Sequence, residues 1–286
     1  PKEKIEIIIV NDRSEDDTGM ILKEYEKNHK QIQILTIAEC ESGLSPKKNA
    51  LTKAIHIAKG DIVATTDADC KVPPQWINQG VSYFTSETGM VVGLAPLNST
   101  SWWMSTLVCI DSIVGGITAY GSLGWNHAVT CTGRNFFYRK KLFNEITGFS
   151  GIDHILMGDD DLLMMKMKKE TDCTIRFMPD SLSAVPSAAA TGWHHFISQR
   201  SRHIAASKYF PRSVKIGFGI TFLSKLFIML YMIVLLLGYE ISYLSISLII
   251  LTHFLTLSLI SFMSYNIAQV SLMIYYPFWE IYYILN

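Results

Sequence analysis

Asp67-Ala68-Asp69 sets two carboxylates two residues apart, directly after the run Ile62-Val63-Ala64-Thr65-Thr66. In extended chain such side chains point the same way, so the acids would repel unless a cation sits between them. A hard divalent ion, Mg2+ or Mn2+, meets that need and keeps coordination sites for substrate phosphates. An ordinary acidic turn is the competing reading. Gly158-Asp159-Asp160-Asp161 forms a second acidic cluster, opening a helix that later carries Lys166, Lys168 and Lys169. The helix dipole explains that order of charges, but three adjacent acids exceed what it needs, and one could act as a general base on a hydroxyl. Lys47 and Lys48 begin another helix, where phosphate would be attracted, unless they form only a solvated basic turn. In Gln199-Arg200-Ser201-Arg202-His203, Arg202 could clamp a diphosphate bidentately. Basic residues meeting anionic lipid is the alternative, and on charge alone the stronger one. Trp193-His194-His195 has no third ligand at metal-site spacing.

These groups need a scaffold. Ile5–Val10 is a β-branched run that predicts a buried strand, followed by the polar loop Asn11–Thr18, rich in helix-capping residues. A helix is expected over Met20–Asn28 and a strand over Ile32–Ile37. A second helix runs from about Lys47 to Lys59, closed by Gly60, and a third strand covers Asp61–Thr66. Strands alternating with helices imply a mostly parallel sheet with helices on both faces. Ligands then bind at the carboxyl ends of the strands, which puts both acidic clusters on one rim. Trp103, Leu107, Ile110, Val114 and Ile117 form a helical stripe, read as core packing slightly ahead of a face against the membrane.

The chain has 286 residues, 49% hydrophobic and 17% charged, with mean hydropathy +0.23. That excludes disorder and a disulfide-stapled miniprotein. Net charge is +0, from 25 basic and 25 acidic residues, so no global basic field points to nucleic acid. From Ile216 onward the only charged residues are Lys225, Glu240 and Glu280. This divides the chain into a soluble part, 1–215, and a membrane part, 216–286. Ile216–Gly238 and Ile241–Phe262 are long enough to cross a bilayer. Ala268–Leu285 is a third candidate, interrupted by Pro277 and Glu280. Arg200, Arg202, Lys208, Arg212 and Lys215 precede the first span, which places the soluble part in the cytoplasm and the protein in the cell (inner) membrane. Five scattered cysteines suit a reducing compartment.

Taken in order, these motifs resemble the family 2 glycosyltransferases, in the membrane-bound branch of cellulose, chitin and hyaluronan synthases. Ile-Ile-Val-Asn-Asp-Arg-Ser-Glu-Asp-Asp-Thr looks like the family's VDDGSTDxT strand and loop. Thr-Asp-Ala-Asp looks like its DxD, Gly-Asp-Asp-Asp like its GED or TED, and Gln-Arg-Ser-Arg-His like its QxxRW. Thr132-Gly133-Arg134-Asn135 looks like the glycine-asparagine segment beside the acceptor. The resemblance implies an α/β GT-A fold followed by transmembrane helices, and inverting, metal-dependent transfer from a nucleotide-diphosphate sugar to a saccharide or lipid-linked acceptor. It implies that Asp12 reads the nucleobase, that Lys47 or Lys48 lies near the nucleotide, and that Asp67 lies by the ribose or diphosphate. Asp69 would bind Mg2+ or Mn2+. Asp160 would be the general base, with Asp159 the competing alignment. Gln199 and Arg202 would clamp the donor, and Gly133 and Asn135 would border the acceptor. Two departures stand out: His203 replaces the family's Trp, and the family's first strand is missing before Pro1. A non-catalytic membrane protein keeping the fold is therefore the alternative, and a metal-dependent phosphohydrolase a weaker one.

Overall fold

The computed structural model describes residues 4–40, 43–237 and 242–285. The connection that holds Glu240, and the ends of the expected spans at Gly238 and Ile241, lie outside them. β1 (Ile7–Asp12) pairs in parallel with β2 (Ile32–Ile37), joined by α1 (Thr18–Asn28). The β-branched runs favour pleated, half-buried chain. α2 (Pro46–Ile57) starts with Pro46, whose missing N–H is one that a helix start leaves unpaired anyway. It ends before Gly60, contrary to the expected glycine closure. The Glu6 carboxylate takes the Lys59 and Gly60 N–H groups instead, at 2.6 and 2.7 Å.

The central sheet has the order β3 (Ile62–Thr65), β6 (Phe136–Arg139), β4 (Thr88–Gly93), β7 (Thr174–Met178). β6 runs antiparallel to both neighbours, while β4 and β7 are parallel, so the sheet is mixed. That reversal matters for the site. The start of β6 lies beside the ends of β3 and β4, with Phe136 opposite Thr65 and Val92. β5 (Leu97–Asn98) pairs with β8 (Ser187–Ala188) beyond the end of β4.

β6 is buried on both faces. Phe137 packs on Trp76 of α3 (Trp76–Ser82), ring centroids 5.1 Å apart, while Phe136 and Tyr138 face the opposite cluster. Gly80 of α3 is required there: a Cβ would lie 2.3 Å from the Phe137 ring. α5 (Lys140–Glu145) follows β6, and α6 (Asp161–Thr171) buries Leu163, Met164 and Met167 beneath the sheet.

α4 (Ser105–Gly124) packs as a core helix, with Ile110 buried and Leu107, Val114 and Ile117 of the expected stripe packed against the same cluster. Trp103 precedes the helix and is 71% exposed, while Val108, Cys109, Ile113 and Leu123 are buried together with Ile110. One apolar cluster joins α4 to Phe196 of α7 (Trp193–Ser207), to Ile260 and Met263 of α9 (Tyr243–Asn266), and to Trp279 of α10 (Tyr276–Leu285). α8 (Arg212–Leu236) completes the helices. Among the described residues, three helices are long and apolar enough to cross a membrane: Ser105–Gly124, Arg212–Leu235 and Tyr243–Asn266. The expected third C-terminal span is not among them. Ala268 takes a left-handed backbone conformation (φ 56°), and Val270–Tyr275 forms a 3-10 helix before the ten-residue α10. Ten helical residues span about 15 Å, half a hydrocarbon core.

Candidate active site

The rim where β3 and β4 end and β6 begins gathers the acidic clusters. β3 stops at Thr65, and Asp67–Cys70 is a β-turn closed by the Cys70 N–H on the Asp67 carbonyl at 3.1 Å. Asp67 and Asp69 therefore sit on a turn and not on one extended strand. Asp67 lines a pocket with Lys47, Gly133, Asp159 and Asp160. Asp69 is exposed, its carboxylate near the Cys70 thiol at 3.5 Å.

Lys47 joins the two clusters. Its Nζ lies 3.0 Å from Asp67 Oδ1 and 3.0 Å from Asp159 Oδ2. Burial opposes its charge, but the two carboxylates outweigh that and hold the ammonium above its ordinary range. Asp159 is pushed up by burial and by the neighbouring Asp160, with Lys47 acting against both.

Asp160 sits at the N-cap position of α6. Its Oδ1 accepts the Asp161 N–H at 2.8 Å and its Oδ2 the Gly133 N–H at 2.7 Å. Gly133 opens a 3-10 turn, and its carbonyl accepts the Thr65 hydroxyl at 2.8 Å. Asp161 is structural: it accepts the Cys131 N–H at 2.7 Å and the Thr130 hydroxyl at 3.1 Å. Burial first, then the Asp160 charge, raises its carboxyl well above the usual range.

Two expected site residues are committed elsewhere. Lys48 is 1% exposed, and its ammonium donates to the carbonyls of Ile152, Ile155 and Met157 at 2.8, 2.6 and 2.9 Å. It clamps the loop leading to the acidic triplet instead of facing a ligand. Asn135 is fully buried: its amide donates to Leu94 and Ser183 carbonyls, and its oxygen accepts the Trp76 indole N–H at 2.8 Å. Gly93 makes room for it, since a Cβ there would lie 2.2 Å from Asn135 Nδ2.

Asp12 ends β1 and forms a two-point pair with Arg13, at 2.9 and 3.2 Å; it does not line the Lys47 pocket. Gln199 is half-buried and Arg202 exposed on α7. This helix leans on the acidic segment through Ala206, whose methyl would lie 3.5 Å from a Cβ on Gly158. His203, one turn earlier, is exposed on α7, near Asp160, Arg134, Arg200 and Arg202. Arg200 faces the core, not lipid: it pairs with Asp111 of α4 at 2.8 Å.

Arg134 is the residue that spacing did not single out. Its guanidinium donates to the Ala95 carbonyl at 2.7 Å and to Ser187 Oγ at 2.5 Å, and it faces Asp67, Asp69 and Asp160. The available signal was its place as the one cation inside Thr132-Gly133-Arg134-Asn135.

Among the described residues no three His, Cys, Asp or Glu side chains converge as a preformed metal site. The solvent-facing Asp69 carboxylate still suits a cation that draws its other ligands from phosphate oxygens and water, as Mg2+ commonly does.

Residues 1–147 match the family model "Glycosyl transferase family 2". Over 214 residues the chain is 25% identical to the probable glycosyltransferase YdaM of Bacillus subtilis (strain 168), covering 73% of this chain and 49% of that protein. Over 88 residues it is 34% identical to the beta-monoglucosyldiacylglycerol synthase of Synechocystis sp., covering 31% of this chain and 18% of that one. The chain thus spans half or less of the length of these curated relatives. Among solved structures, the mannosyltransferase PcManGT from Pyrobaculum calidifontis, in complex with GDP-Man and Mn2+, shares the fold at TM-score 0.56 and 16% identity, covering 100% of this chain and 79% of that one.

Proposed function

Because the chain belongs to glycosyl transferase family 2, we propose that it moves a sugar from a nucleotide-diphosphate sugar to a hydroxyl of a saccharide or lipid-linked acceptor at a membrane, with inversion. The observation that carries this reading is the Lys47 bridge. One ammonium meets Asp67, from the DxD turn, and Asp159, from the acidic triplet, at 3.0 Å each. Segments far apart in sequence therefore share one pocket.

In this reading Asp160 is the base, with Asp159 the competing candidate. Asp160 takes the acceptor proton as the oxygen attacks the anomeric carbon opposite the leaving diphosphate. Backbone N–H groups hold both its oxygens, so the carboxylate meets the acceptor in a fixed orientation. Lys47, Gln199 and Arg202 receive the diphosphate, Asp12 the nucleobase, and Asp67 the ribose or diphosphate. Asp69 would hold Mg2+ or Mn2+, which when bound offsets charge on the leaving group. Gly133 borders the acceptor.

The membrane part of the proposal rests on α8 and α9, with α4 a third helix of spanning length. We assign 1–215 to a cytoplasmic catalytic part and 216–286 to the multi-pass membrane part, in cell-surface polysaccharide or glycolipid synthesis, in the membrane-bound synthase branch. The test is nucleotide release from a panel of nucleotide sugars by the membrane-embedded protein, with Mg2+ or Mn2+ and with chelator. Metal-dependent release that Asp160→Asn abolishes, with donor binding retained, is expected. No release from any donor would favour a non-catalytic protein keeping the fold.

A further inference from the structure

Tyr138 is a buried polar side chain that the proposed reaction does not use. It lies on β6, opposite Val63 of β3 and Met90 of β4, and is 0% exposed. Its ring packs on Phe136 and Phe143, at 5.1 and 6.0 Å between centroids, a role that a phenylalanine would fill. Its hydroxyl has no hydrogen-bond partner among the described residues. An unpaired buried O–H is costly, and buried tyrosines usually find a partner. Tyr138 also lines the cavity at the Lys47 bridge, a space of about 30 Å3. Leu51, Phe136 and Leu163 form its core side, and Lys47, Asp67 and Asp159 its polar rim. A water needs roughly 10–15 Å3 of such space and two to four polar partners. The core side of the bridge is thus sized for water, and a donor would meet Lys47 on its half-exposed outer side. The rim can supply the partners. An ammonium has three N–H donors, and Lys47 turns two on Asp67 and Asp159 at 3.0 Å each. A carboxylate such as Asp159 has room to accept more than that one bond.

We propose that an ordered water occupies this cavity, accepting the Tyr138 O–H and donating in turn to Asp159, and that Tyr138 is thereby a positioning residue for the Lys47 bridge. The hydroxyl acts on Asp159 through the water, and Asp159 holds Lys47 from the core side. The functional consequence rests on the reading that Lys47 receives the diphosphate. Without the hydroxyl the bridge loosens, so donor binding weakens more than the chemical step slows.

The test sets Tyr138→Phe, in the full membrane-embedded chain, beside a crystal structure of the wild type sharp enough to show waters. Density for a water within hydrogen-bond distance of both Tyr138 Oη and Asp159 is expected. A well-ordered site with no water there overturns the proposal, and this readout stands even if the variant fails to fold. Thermal unfolding gives an independent sign. Removing a hydroxyl that water satisfies should lower Tm by about 2–4 °C, whereas removing an unpaired one should raise it. A Tm at or above the wild-type value therefore overturns the proposal. Nucleotide release tests the positioning role: the donor KM should rise about threefold or more, with kcat held within about twofold. An unmoved KM overturns that role. No release from any donor by the wild type would overturn the assigned activity alone, and density and Tm would still decide the water.

Discussion

The Arg200 guanidinium on α7 meets the Asp111 carboxylate on α4 at 2.8 Å. The same guanidinium lies 6.0 Å from the centre of the Phe196 ring and 3.5 Å from the Tyr282 hydroxyl of α10. α7 also carries Gln199, Arg202 and His203. The helix proposed to receive the donor is therefore anchored to the apolar bundle, not merely laid on lipid.

That anchor predicts a measurable coupling. Arg200→Ala and Asp111→Ala should each lower stability, and the double variant should lose less than the sum. With both side chains about a third exposed or less, the coupling should be roughly 1 kcal/mol. A double-mutant cycle of unfolding in detergent measures it. Strict additivity would mean the two charges do not interact.

Lys47 and Lys48 should fail in opposite ways. Lys47→Ala removes the bridge between Asp67 and Asp159 and should weaken donor binding while leaving the fold intact. Lys48→Met strands three carbonyls and should cost about 2–4 kcal/mol of stability. Calorimetric donor binding beside thermal unfolding separates the two. Equal loss of stability in both would show that Lys47 too is a structural clamp.

Much of this was readable from the residues, and the misses have physical causes. β2 covers the expected strand, Ile32–Ile37. Neighbouring positions on a helix are about 100° apart, so Lys47 and Lys48 could not both face the pocket, and local sequence does not set which one does. The Asp67–Asp69 geometry was misread because a strand pattern does not show where the strand stops, and here a β-turn begins at once. Asn135 was placed by resemblance, and its real partners, Trp76, Leu94 and Ser183, come from distant segments. Arg134 escaped for the same reason: its anchors at Ala95 and Ser187 exist only once the sheet is assembled.

Asp161 gives the protein a pH dependence of stability. Burial raises its folded carboxyl well above the ordinary value. The native state therefore binds more protons than the unfolded chain between the ordinary carboxylate range and that raised value. Its contribution is fully present below the ordinary range and fades as pH rises through the window. Asp161→Asn, which can still accept the Cys131 N–H, should flatten this decline. Unfolding midpoints from pH 4 upward, roughly the unperturbed carboxylate value, provide the check. A wild type whose stability climbs with pH as steeply as the variant's would contradict it.

In the proposed membrane region, Lys225 on α8 meets Glu280 on α10 at 2.6 Å, and both side chains are nearly enclosed. The Tyr276 hydroxyl also donates to Glu280, and His253 Nδ1 lies 3.5 Å from it. The pair ties the short returning helix to the first long apolar one. Breaking it from one side leaves an uncompensated charge in an apolar setting, so Glu280→Ala should cost about 3–5 kcal/mol. Replacing both charges, with Lys225→Met and Glu280→Leu, should recover much of that loss, because no buried charge remains. Unfolding of the three variants in detergent is decisive: a double variant as unstable as Glu280→Ala would mean that hydrogen bonding to Tyr276 and His253, and not the ion pair, holds α10 in place.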